Sequence, residues 1–68
     1  SAQAWKDLAH EAMQAGDPVS AYTLNQEALK LNPELPQALT FGRELMNNVP
    51  GAKEAIEAAK AAAEEAVK

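Results

Sequence analysis

The stretch AWKDLAHEAMQAGDPVSAYTLNQEALKLNP, residues 4–33, decides how this chain is read. Two runs of good helix formers stand on either side of Gly16-Asp17-Pro18. Glycine suits the left-handed position that follows a helix, and aspartate is a strong N-cap. Proline fits the first helical turn, where the amide proton it lacks would have no partner anyway. The spacing therefore predicts one helix over residues 2–15 and another over 18–31. Trp5, Leu8, Ala9, Ala12 and Met13 recur at helical spacing and form the expected buried stripe of the first helix. Ala21, Leu24, Ala28 and Leu31 form that of the second. Asn32-Pro33 ends it, because the residue before proline is driven out of the α region.

Working outward, Asn32-Pro33-Glu34-Leu35-Pro36 and Asn47-Asn48-Val49-Pro50-Gly51 are the remaining breaks. They predict a third helix over 36–47 and a fourth over 52–67. Leu35, Ala38, Leu39, Phe41, Gly42, Leu45, Met46 and Val49 crowd one face of the third. Gly42 sits inside that face, where glycine costs roughly 1 kcal/mol against alanine, so another helix is expected to approach closely there, with a simple weak spot in the helix as the alternative. From Gly51 onward the chain uses only Gly, Ala, Lys, Glu, Ile and Val. Lys53, Glu57, Lys60, Glu64 and Lys68 line one face, flanked by Glu54 and Glu65, with a favourable Glu64–Lys68 pair at i, i+4. Ala52, Ala55, Ile56, Ala59, Ala63, Ala66 and Val67 lie opposite. This is an idealised amphipathic helix of high-propensity residues. The shift in texture marks residues 51–68 as engineered, with a natural Ala-rich capping helix as the alternative.

At 68 residues the chain is one domain, 1–68, and small enough that burial is scarce. It has no cysteine, so neither a disulfide nor a thiolate metal site can reinforce it. The net charge of −4 and the scatter of six basic residues argue against nucleic acid and anionic membrane, which call for clustered Lys and Arg. No apolar run approaches the roughly 20 residues of a membrane span. The start at Ser1 in place of an initiator Met reads as a trimmed chain, cytosolic if natural and recombinant if designed.

The sequence also repeats. At a shift of 33, Glu11-Ala12-Met13-Gln14 returns as Glu44-Leu45-Met46-Asn47, Leu8 as Phe41 and Ala9 as Gly42. In the second helices the shift becomes 34, matching Ala21 with Ala55 and Ala28 with Ala62. Trp5, Leu8, Ala21, Ala28 and Pro33, with Ala9 in the place of a small glycine, resemble one tetratricopeptide repeat, a helical hairpin of 34 residues. The chain departs from that pattern at Ala12 and Asn25, where aromatics are usual. The resemblance is carried by residues 4–33, continues over 36–47 and thins over 51–68. It implies an all-α fold: a four-helix, two-repeat right-handed array of αα-hairpins, with 4–33 as the first hairpin and 36–68 as a second, degenerate one. The Ala-rich helix in 51–68 would then be its cap. Three or more repeats are the usual minimum, so either the monomer is marginal or a second copy adds area as a homodimer.

In this family the first helices of successive hairpins line a concave groove that takes a peptide. The resemblance implies a groove of Gln3, Lys6, His10, Met13 and Gln14 on the first helix, with Leu39, Arg43, Met46 and Asn47 on the third. Lys6 matches the first lysine of the carboxylate clamp found in some relatives, while His10 and Thr40 replace its asparagines. The residues taken alone make Lys6 and Arg43 solvated charges and Met13, Leu39 and Met46 helix-packing residues.

Nothing in the residues points to catalysis, a cofactor or a metal. His10 is the lone histidine, Ser1, Ser20, Thr23 and Thr40 have no patterned base, and Gly16, Gly42 and Gly51 form no phosphate loop. Two readings remain open: a scaffold that takes a peptide or protein partner, and a designed structural protein without a ligand.

Overall fold

The computed structural model describes residues 1–67. They form four helices: α1 (Ala2–Gln14), α2 (Pro18–Leu31), α3 (Pro36–Asn48) and α4 (Ala52–Ala66). The fold is all-α, an array of helical hairpins with no strand among the described residues. The expected boundaries hold to within a residue at each end, because the chain's punctuation is strong.

Each turn has a local cause. The Ala4 amide donates to Ser1 Oγ at 3.2 Å, capping α1. Gly16 takes φ +83°. In that conformation the Gly16 amide donates to the Met13 carbonyl at 2.9 Å and the Asp17 amide to the Ala12 carbonyl at 3.0 Å. These are the two bonds of a Schellman close, which satisfies the last carbonyls of a helix. The Ser20 amide then donates to Asp17 Oδ1 at 3.0 Å, capping α2. The Ser20 hydroxyl first, and then that amide bond, hold the Asp17 carboxyl below its ordinary value of 3.8. Gly51, at φ +79°, turns the chain into α4.

α1 and α2 pack closely along a seam of small residues, with Ala9, Ala21 and Ala28 fully buried. Such close backbone approach leaves no room in the seam for larger side chains. Leu8 and Leu31, both expected in the stripe, are accordingly 48% and 61% exposed. Asn25 lies between Ala21 and Ala28 on the same helical face and is 2% exposed, at the position where the resemblance expects an aromatic and a thinner core. Its amide Nδ2 donates across to the Ala38 carbonyl on α3 at 2.9 Å, and its Oδ1 is buried without a partner. Asn25 is therefore not a gap where an aromatic should stand but a polar tie between α2 and α3. Gly42 permits it: a Cβ added there would lie 3.2 Å from Asn25 Nδ2. The close approach expected at Gly42 is thus present, and its neighbour is Asn25.

The second half of the core gathers Ala21, Leu45, Ala52 and Ile56, with Ala12, Met13, Tyr22, Phe41, Met46 and Val49 packed around them. Leu45 and Ile56 are the largest fully buried side chains. Met13 near the end of α1 and Leu45 near the end of α3 share this cluster, so the two helices run in the same direction. Leu39 points away from it and is 44% exposed.

α4 lies against α2 and α3 through Ala52 and Ile56, while Ala63, Ala66 and Val67 are exposed. Its apolar stripe is therefore used only over its first turns. Farther along, the Lys60 ammonium stands 4.6 Å from the centre of the Tyr22 ring, and Tyr22 Oη pairs with Gln26 Nε2 at 2.6 Å. Lys60, opposed by partial burial, draws the Tyr22 phenol below its ordinary value of 10.0, and Gln26 adds to the effect. The expected Glu64–Lys68 pair lies outside the described residues.

Candidate functional site: a cleft between the first helices of the two hairpins

The short Gly16-Asp17-Pro18 turn folds α2 back along α1, and the second turn brings α3 round beside α1. Between α1 and α3 lies an open cleft of about 500 Å3. Lys6, His10 and Met13 line it from α1, and Pro36, Gln37, Thr40, Phe41, Glu44 and Leu45 from α3, with Val49 at the end. Its floor is apolar, made by Met13, Phe41, Leu45 and Val49. Its rim carries an ammonium, an imidazole, an amide, a hydroxyl and a carboxylate. That mixture of apolar floor and few polar groups is typical of a ligand-binding surface.

The His10 and Phe41 rings meet edge to face across the cleft, with centroids 5.9 Å apart and planes at 62°. Gln14 Nε2 lies 3.3 Å from His10 Nε2 and steadies the imidazole from one turn further on. Lys6 is one turn before His10, and Glu44 is about one turn after Phe41. Because α1 and α3 run in parallel, opposite charges flank the ring contact. The Lys6 side chain is only 19% exposed, and its Nζ reaches Asp7 Oδ1 at 3.1 Å. Asp7 also accepts from Gln3 Nε2 at 3.0 Å. The Gln3 bond first, and then Lys6, hold the Asp7 carboxyl below its ordinary 3.8.

Of the groove residues the resemblance implied, Lys6, His10 and Met13 line the cleft together, joined by Thr40 from the clamp comparison. Gln3 and Gln14 are exposed beside it and act through Asp7 and His10. Leu39, Arg43, Met46 and Asn47 do not line it. Met46 packs on the core cluster, as does Met13; with Asn47 it also borders a separate hollow of about 420 Å3 at the α3–α4 turn. The reason is geometric. In a stack of parallel helices, the forward face of one meets the backward face of the next. Carrying the α1 positions over by the repeat of 33 selects the forward face of α3, whereas the cleft uses its backward face. Gln37, Phe41, Glu44 and Leu45 were thus missed as site residues, and the stacking rule was the signal that could have found them.

Among the described residues no group of three or more His, Asp or Glu side chains is placed to hold a metal ion. No helix there is long and apolar enough to cross a membrane. No family model, curated protein or solved structure matches the chain.

Proposed function

We propose that the chain is a non-enzymatic scaffold of the tetratricopeptide-repeat kind, whose cleft between α1 and α3 takes a peptide segment of a partner protein. The observation that carries this reading is the cleft itself: an apolar floor ringed by Lys6, His10, Gln37, Thr40 and Glu44 on two parallel helices. Such a surface can seat one apolar side chain over Phe41 and Met13. It can also pair an acidic group near Lys6 and a donor near Glu44. The charge pattern sets the direction of the bound segment, since reversing it would set like charges together.

The test is selection of peptides from a displayed library on the wild-type chain, followed by binding to two variants at dilute concentration. Thr40→Arg fills the cleft from an exposed position and abolishes binding while the helical circular dichroism stays unchanged. Asn47→Arg, outside the cleft, leaves binding intact. Equal binding to both variants would defeat the reading.

A second reading is favoured by the restricted alphabet of residues 51–68 and by the apolar stripe of α4, which is left exposed at Ala63, Ala66 and Val67: a designed structural chain with no ligand. A library that yields no enriched peptide on the folded protein supports it.

A further inference from the structure

Two faces of the molecule that are exposed at Asp7, Leu8 and Glu11 and at Leu39 and Arg43 are copies of the two faces that meet inside it, with Ala12 and Met46 at their inner edges packed on the core. The forward face of α1 (Lys6, His10, Met13) opposes the backward face of α3 (Thr40, Phe41, Glu44, Leu45). The repeat of 33 maps the first set onto Leu39, Arg43 and Met46, and the second onto Asp7, Leu8, Glu11 and Ala12. Leu39 and Leu8 are the half-exposed leucines, at 44% and 48%. Arg43, Asp7 and Glu11 are exposed as well. The charges correspond too. Inside the chain Lys6 on the forward face stands toward Glu44 on the backward face. Outside it, Arg43 is left on the forward face of α3 and Glu11 on the backward face of α1, Asp7 there being already paired with Lys6.

We infer that these faces join copies of this chain head to tail, with Leu39 and Arg43 of one copy packing on Leu8 and Glu11 of the next. In the equivalent internal contact His10 meets the Phe41 ring edge to face. Between copies, Arg43 takes the place of His10 and Leu8 that of Phe41, with Glu11 one turn on from Asp7 to pair the guanidinium. The contact is heterologous, so it does not close on itself as a two-fold dimer does but leaves a free face at each end of the assembly. One helix face against another falls short of the roughly 1,600 Å2 of a standard interface, so copies join reversibly as concentration rises.

Sedimentation velocity over a concentration series tests this. The wild-type mass rises above the 7.2 kDa of one chain and continues past the dimer. Arg43→Glu and Glu11→Lys each set like charges across the contact, and each alone associates about tenfold more weakly, the factor that roughly 1.4 kcal/mol produces. An equimolar mixture of the two variants restores association, because Glu at 43 then meets Lys at 11 and the unmutated Arg43 meets the unmutated Glu11. Raising the salt weakens assembly of the wild type and of the mixture. The inference is overturned if the wild type stays at 7.2 kDa up to millimolar concentration, if the mass stops at a dimer, or if mixing fails to restore assembly. The wild-type series stands without any variant. Circular dichroism of the two single variants, both at exposed sites, shows whether a loss of mass comes from the contact or from unfolding.

Discussion

Replacing Gly42 by alanine in the middle of α3 would, by helix propensity alone, stabilise the protein by about 1 kcal/mol. The structure reverses that sign. The new Cβ would stand 3.2 Å from Asn25 Nδ2, a closer contact than side chains ordinarily tolerate. Asn25 is 2% exposed and cannot swing into solvent. It is also held by its 2.9 Å bond to the Ala38 carbonyl, one turn before Gly42. Making room for the methyl group pushes the Asn25 amide off that bond and strands a buried donor, which at so fully buried a site costs about 2–3 kcal/mol in all. After the propensity gain is subtracted, a net loss of about 1–2 kcal/mol remains. In a domain of this size each kcal/mol lowers Tm by about 4–8 °C. Thermal and urea unfolding followed by circular dichroism measure it, and a double-mutant cycle isolates the cause. With Asn25→Ala already in place, Gly42→Ala meets no obstacle and stabilises by about 1 kcal/mol, giving a coupling of about 2–3 kcal/mol. If Gly42→Ala raises Tm equally in both backgrounds, the Asn25–Gly42 account is wrong.

Three further outcomes are expected. Ile56→Ala, which removes most of the large side chain that α4 buries, should cost about 2–5 kcal/mol in urea unfolding, enough to release α4; a loss under about 1 kcal/mol would mean α4 is not part of the core. Lys60→Gln should return the Tyr22 phenol upward toward 10.0, read by ultraviolet absorbance at alkaline pH in a chain with one tyrosine; an unchanged titration would place Lys60 away from the ring. Asp17 has a folded pKa below its ordinary value, so its contribution is fully present above pH 3.8 and fades as the pH falls through the lower folded value. Asp17→Asn, which keeps a capping oxygen but cannot ionise, should remove that part of the acid sensitivity; an unchanged acid limb of stability against pH would contradict it.

The fold was legible because its punctuation is chemical. Gly16, Asp17, Pro18, Asn32, Pro36 and Gly51 each carry a backbone requirement that no tertiary contact had to supply, so four helices and their ends could be read directly. Which side chains those helices bury was less legible. Leu8, Leu31 and Leu39 satisfy the helical period as well as Ala9, Ala28 and Ala38 do, and hydrophobicity favours the leucines. The seams went to the alanines, because helices that approach this closely exclude larger side chains. The role of Asn25 was hidden for another reason: the resemblance set it at a core position as a thinning of the core, and its use as a tie depends on the Ala38 carbonyl across the interface. The same limit governed the cleft. Lys6, His10 and Met13 could be placed by resemblance on one helix, but the side of α3 that meets them depends on stacking direction, which only the three-dimensional arrangement supplies.

The central claim is that a peptide binds between α1 and α3, and the two methionines report on it directly. Met13 lines the cleft, whereas Met46 lies outside it toward the α3–α4 turn. With both methyl groups carbon-13 labelled, titration with a library-selected peptide at dilute protein should move the Met13 resonance and leave Met46 nearly still. Movement of Met46 with Met13 unchanged would place the peptide elsewhere and contradict the account.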